Sequence, residues 1–116
     1  LVFIPKVLSL KKILIKKGRK GGLQFHRLKN ECGYLLKGTL LVRYLGKNGK
    51  LVKKTLKKGN VFHFPPNFIH QEEALTDCEI IEASSPHFND RVRVEKFFGL
   101  KEFGLPTTKK KEITFK

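Results

Sequence analysis

The chain has 116 residues, 40% of them apolar, with ten Phe and a formal net charge of +15. That length holds one domain with one core, and the apolar content excludes a disordered tail; no apolar run approaches the roughly 18 residues that a membrane-spanning helix needs. Lysine outnumbers arginine 20 to 5, which argues against a nucleic-acid interface, because arginine is the better reader of phosphate forks and base edges.

The elements alternate short apolar stretches with Gly, Asn, Pro and Lys. VLSLKKILI (7–15), LQFHRL (23–28), YLLKGTLLVRYL (34–45) and KLVKKTL (50–56) read as strands. GRKGG (18–22) reads as a turn whose charges attract an anion. In GKNGK (46–50), Asn48-Gly49 supplies the positive φ of a hairpin turn. VFHF (61–64) runs into Pro65-Pro66, which ends its pairing. FIHQEEAL (68–75) and CEIIEAS (78–84) follow as strands, and VRVEKFF (92–98) reads as a strand or a short helix. The basic tail from Pro106, with KKK at 109–111, is expected to be loosely held or attached to a sheet edge. Eight or so short strands without a sustained helical period predict an all-β sandwich or small barrel over residues 1–105, followed by the tail at 106–116.

The charge is unevenly placed. Residues 1–71 carry 17 basic residues and a single acidic one, Glu31, whereas residues 72–116 carry eight and nine. The field of the first part favours anionic partners. Cys32 and Cys78 form no zinc pattern and read as free thiols rather than a disulfide. The chain opens on LVFIPKVL without Met, and nothing in it reads as a signal peptide; a few trimmed residues and a cytoplasmic location are expected.

Glu31 falls within a spaced pattern. Residues 18–38 read G-x5-Q-x-H-x4-E-x6-G (Gly18, Gln24, His26, Glu31, Gly38), and residues 59–70 read G-x5-P-x-N-x2-H (Gly59, Pro65, Asn67, His70). This pattern resembles the paired motifs of the cupin superfamily, with Gln24 in place of the usual first His and Asn67 in place of the usual Gly. The resemblance implies a double-stranded β-helix, or jelly-roll barrel, holding one divalent metal ion through Gln24, His26, Glu31 and His70. The spacing agrees. Gln24 and His26 are two apart on a strand and share a face. Glu31 returns across the bend at Lys29-Asn30 from what is expected to be the neighbouring strand. Such a mixed N/O site suits Zn, Mn, Fe or Ni.

LQFHRLKNE also resembles the corresponding stretch in the cupin domain of type II phosphomannose isomerases. The similarity continues through IIEAS (80–84) and NDRVRVEKFFG (89–99), in which Asp90, Val92, Arg93, Glu95 and Gly99 match. It implies a mannose-6-phosphate isomerase-like sugar-phosphate isomerase or epimerase working by metal-assisted proton transfer. Glu82 is then the expected base, Arg93 the phosphate or enediolate anchor, and Lys29, standing where that family has Arg, a further phosphate contact. Leu28 replaces a His, Ala74 an Asn, and Gly33 a Trp, the last of which is expected to leave space near the metal. The alternatives are a non-catalytic sugar- or nucleotide-sugar-binding module and a small Fe-dependent oxygenase. His63 is expected to be packed or exposed rather than cavity-lining, and His87 to lie in a surface loop. Barrels of this type commonly pair, so a homodimer is expected.

Overall fold

The computed structural model describes residues 8–104 and 106–108. They form nine strands: β1 (Ser9–Ile15), β2 (Gln24–His26), β3 (Glu31–Lys37), β4 (Thr39–Leu45), β5 (Leu51–Lys57), β6 (Val61–Phe64), β7 (His70–Ala74), β8 (Cys78–Ser84) and β9 (Arg91–Arg93). A single 3-10 turn, Glu95–Phe98, follows, so the segment at 92–98 is partly strand and partly helical turn. The strands pair antiparallel in two sheets, one ordered β1-β8-β3-β6 and the other β5-β4-β7-β2-β9. No described helix is long and apolar enough to cross a membrane.

Two expectations are corrected here. The run at 34–45 is not one strand: Gly38 adopts φ +93°, and the chain turns there from β3 in one sheet to β4 in the other. A side chain at that φ would be strained, and a Cβ there would also meet the Asp77 carbonyl. The second concerns Glu31. β2 and β3 do not pair, so Glu31 approaches His26 from across the barrel rather than from a neighbouring strand.

Period-two alternation decides what each strand turns inward. On β8, Cys78, Ile80, Glu82 and Ser84 are buried and the residues between them are less so. On β3, Glu31, Gly33 and Leu35 are the buried set. The ladders stack these residues into layers. Leu35 pairs with Ile80, Gly33 with Glu82, and Glu31 with Ser84; on the other sheet Leu40 pairs with Ala74 and Tyr44 with His70. One end of the barrel is therefore filled by Leu35, Leu40, Val42, Leu56, Phe62, Phe64, Ala74, Cys78 and Ile80. Burying a Leu- or Ile-sized side chain contributes roughly 1.5–3 kcal/mol, so this layer carries much of the stability. The other end turns polar side chains inward.

The chain past β9 is tied back to the barrel. Thr107 Oγ1 accepts the Arg93 amide at 3.2 Å, and the Thr108 amide donates to the Arg91 carbonyl at 3.0 Å. The start of the expected tail is thus attached to an edge strand, and KKK at 109–111 lies outside the described residues.

Candidate metal centre

His26 is aimed by Asp90. Asp90 is only 1% exposed. Its Oδ1 lies 2.8 Å from His26 Nδ1, and its Oδ2 accepts the amides of Leu28 at 2.9 Å and Lys29 at 2.7 Å. Burial would raise this carboxyl, but the two amides and the imidazole outweigh it and hold it below the usual carboxylate range. An ionised Asp90 accepts from Nδ1–H, which leaves His26 Nε2 as the bare nitrogen. The same two amides fix the bend at 27–30 over which the chain changes sheets.

His70 is set the same way by a different partner. Its Nδ1 donates to the Phe68 carbonyl at 2.9 Å. Its ring stacks on Phe64, with centroids 4.0 Å apart and planes at 20°. Burial pushes its pKa down to about 4, so it is a neutral imidazole at physiological pH, with Nε2 free. His26 is lowered as well, chiefly by burial and despite Asp90.

Glu31 completes the group. Its Oε1 is 3.9 Å from His26 Nε2 and 3.7 Å from His70 Nε2. One atom from each of His26, Glu31 and His70 lies within 4.8 Å of the other two. Two imidazoles whose Nδ1 atoms are already engaged, facing a carboxylate oxygen, are a donor set that fits a divalent ion. Burial pushes the Glu31 carboxyl up to about 7, with Lys29 opposing and Glu82 adding to the rise. Gln24 shares the face of His26, pairs with His70 across the β2–β7 ladder and lines the same cavity.

Lys29 and Glu82 stand beside this group. The Lys29 ammonium, only 8% exposed as a residue, is 3.2 Å from Glu31 Oε2 and 3.3 Å from Glu82 Oε1. Glu31 therefore divides its oxygens, Oε1 to the histidines and Oε2 to Lys29. Glu82 Oε1 is buried and has no aligned hydrogen bond, although Lys29 and Lys11 are within ion-pair distance. All of these residues line a cavity of about 590 Å³.

Arg93 is not brought to this cavity. Its NH2 lies 2.7 Å from Glu95 Oε1, its Nε also donates to Glu95, and its NH1 donates to the Gly104 carbonyl. Glu95, 1% exposed, also accepts the Leu23 amide at 2.9 Å. This buried pair ties β2, β9 and the segment after the 3-10 turn together. The cavity instead receives Arg91, two residues earlier and opposite His26 on the β2–β9 ladder, and Glu72 from β7. Burial, with Glu31 and Glu82 nearby, pushes Glu72 up to about 8. Neither was singled out from the sequence, although the i, i+2 relation of Glu72 to His70 places both on one strand face.

The departures from the motif have local explanations. Asn67 takes φ +67° at the Pro-Pro-Asn turn, a conformation Asn tolerates in place of Gly, and its amide donates to the His26 carbonyl. Gly33 does not leave space near the metal, as the sequence led us to expect: the Phe62 ring packs against it and occupies the room of a side chain. His63 is exposed and bonds Asn30 Oδ1 through Nε2 at 2.6 Å, and His87 meets Ser85 Oγ at 2.7 Å through Nδ1. Cys32 is exposed and Cys78 buried, both as free thiols.

Known proteins share this arrangement of strands. Over 81 residues the chain is 33% identical to germin-like protein subfamily 2 member 1 of Arabidopsis thaliana, covering 68% of this chain and 35% of that protein. It thus spans about a third of the length of that curated relative. An RmlC-like cupin from Shewanella frigidimarina is similar with a TM-score of 0.57 and 28% identity, over 66% of this chain and 64% of that one. An oxalate oxidase structure aligns with a TM-score of 0.58 over 66% of this chain and 41% of the other, and at 23% identity this likeness concerns the fold. The family described as Cupin matches residues 8–105, and the chain belongs to that family.

Proposed function

We propose that this protein is a divalent-metal cupin acting on a small phosphorylated sugar, as a mannose-6-phosphate isomerase-like isomerase or epimerase. The observation that carries the reading is the convergence of two bare imidazole nitrogens and one carboxylate oxygen beside a buried acid–ammonium pair, Glu82 and Lys29. His26, Glu31 and His70 would hold the ion, with Gln24 as the fourth donor. When bound, the ion supplies Lewis acidity, polarising a substrate carbonyl or hydroxyl and acidifying the adjacent C–H.

The chain's own groups then move the proton. Glu82, which lines the cavity and has no aligned hydrogen bond at Oε1, would take the proton from one carbon and return it to the next, while the hydroxyl proton passes between the two substrate oxygens. Lys29 steadies the negative charge on both carboxylates and on the developing enediolate oxygen. Asp90 and the Phe68 carbonyl keep the imidazoles in one tautomer throughout. The free thiols agree with a reducing, cytoplasmic setting, and we also expect a homodimer.

Interconversion of mannose 6-phosphate and fructose 6-phosphate by metal-loaded protein, followed by NMR, tests this. Turnover that disappears in Glu82→Gln while the metal is retained supports it. Loaded protein that binds the sugar phosphate without converting it sinks the catalytic claim. That outcome would favour the second reading, a sugar-binding module.

A further inference from the structure

The cavity's charges do not balance. Among the described residues six basic side chains line it: Lys11, Lys16, Arg19, Lys20, Lys29 and Arg91. Lys11 and Lys29 are matched by Glu82 and Glu31. Lys20 reaches Glu73 at 4.0 Å and lies 5.0 Å from the centre of the Phe103 ring. Lys16, Arg19 and Arg91 have no carboxylate within ion-pair distance among the described residues. Among the described residues Glu72 is the one lining carboxylate not engaged by a lysine, and it cannot offset three cations. A divalent ion at His26, Glu31 and His70 would widen the imbalance.

The three cations divide by position. Arg91 is half-buried on β9, directly opposite His26 in the ladder, and so stands next to the candidate metal group. Lys16 and Arg19 are exposed on one tight turn, with the Arg19 amide donating to the Lys16 carbonyl at 3.0 Å. That turn is held to β7 by the Gly18 amide on the Ala74 carbonyl at 2.8 Å and the Ala74 amide on the Arg19 carbonyl at 2.9 Å. Ala74 lies four residues along β7 from His70, or roughly 13 Å at about 3.3 Å per residue. The inner cation is thus beside the metal group, and the outer two stand on a fixed scaffold at the far end of the cavity.

We infer that the cavity takes a small dianion, gripped by Arg91 beside the metal group and drawn in by the Lys16–Arg19 turn. Arg91 has the planar fork that clasps two oxygens of a phosphate monoester or a carboxylate. Lys16 and Arg19, exposed residues of the cavity lining, raise the rate of encounter rather than the lifetime of the complex. This inference rests on the metal-site reading for the ligand's inner position but not for its charge. It assigns to Arg91 the anion contact that Arg93, committed to Glu95, does not supply.

The test is a binding series on metal-loaded full-length protein: mannose, mannose 6-phosphate, inorganic phosphate and oxalate, each by calorimetry, with metal content measured alongside. Mannose 6-phosphate should bind at least tenfold tighter than mannose. Comparing phosphate with oxalate identifies which dianion the fork prefers. Arg91→Gln should weaken the dianions about ten- to hundredfold while metal content and mannose affinity stay unchanged. In stopped-flow, Lys16→Gln with Arg19→Gln should lower the association rate and its salt dependence and leave the dissociation rate near wild type. Equal binding of charged and neutral sugar, no binding of any dianion, or an Arg91→Gln protein that retains the preference would each overturn the inference. Protein that holds no metal yet still prefers dianions through Arg91 would remove the metal reading alone.

Discussion

The two ends of the barrel are built from the same strands and do opposite work. At one end β3, β4, β7 and β8 contribute Leu35, Leu40, Ala74 and Ile80, which are essentially unexposed and apolar. Two to four residues further along three of those strands, the same inward parity delivers Glu31, His70 and Glu82. The apolar end needs only volume and shape. The polar end must satisfy each group individually: Asp90 for His26 and the Phe68 carbonyl for His70 from outside the cavity, and Lys29 for the two glutamates from within it. The lesson is that stability and chemistry are separated along the strand axis, so substitutions at the two ends should have separable effects.

The sharpest contrast comes from one substitution at each end. His70→Ala should reduce bound metal from about one ion per chain to near zero. Leu35→Ala should leave metal stoichiometry intact and cost about 2–5 kcal/mol in urea unfolding, as a cavity-forming change in a packed layer. Metal analysis and denaturation on the same two proteins check both, and the separation breaks if Leu35→Ala protein is folded but metal-free.

Arg93 provides a second test, because it lies near the polar end but has a structural role. Arg93→Ala leaves Glu95 buried without its cation and should cost about 3–5 kcal/mol. In the folded fraction, metal affinity should be unchanged. Asp90→Asn has a smaller and different signature. It weakens the alignment of His26 and should lower metal affinity about ten- to hundredfold, measured by competition with a chelator, with the same stoichiometry at saturation.

The smallest effect is in pH. Glu31 is pushed up to about 7, so the folded metal-free chain keeps a proton there that an unfolded chain, with an ordinary carboxyl, gives up. Stability of the metal-free form should therefore fall as pH rises from the usual carboxylate range towards 7. Metal binding needs the ionised carboxylate, so affinity should rise by about tenfold per pH unit towards pH 7 and then level off. His70, with its pKa near 4, does not limit binding in that window. A flat affinity profile between pH 5 and 7 would show that Glu31 is already ionised without the ion.

Much of this division was legible in the sequence because parity is local. CEIIEAS alone puts Glu82 on the face of Cys78 and Ile80, and QFH puts Gln24 with His26. The jelly-roll family and the His26, Glu31 and His70 group were implied by the resemblance of the spaced motifs to the cupin superfamily, with which the strand spacing agrees. Parity, however, names a face and not where a long side chain ends. Arg91 and Arg93 have the same parity, yet one lines the cavity while the other is captured by Glu95. The orienting role of Asp90 depends on a contact across 64 residues, and local spacing carries no signal of it. The split at Gly38 was signalled by a glycine, but the transfer of β3 and β4 to different sheets is a property of the closed barrel.

The central claim is that His26 Nε2, His70 Nε2 and Glu31 Oε1 form one metal centre. The most direct measurement is metal content by mass spectrometry of protein purified without chelator and then reconstituted, alongside Glu31→Gln. The account predicts close to one divalent ion per wild-type chain and a large loss in the variant. Wild-type protein that remains folded and holds no ion after reconstitution would contradict it.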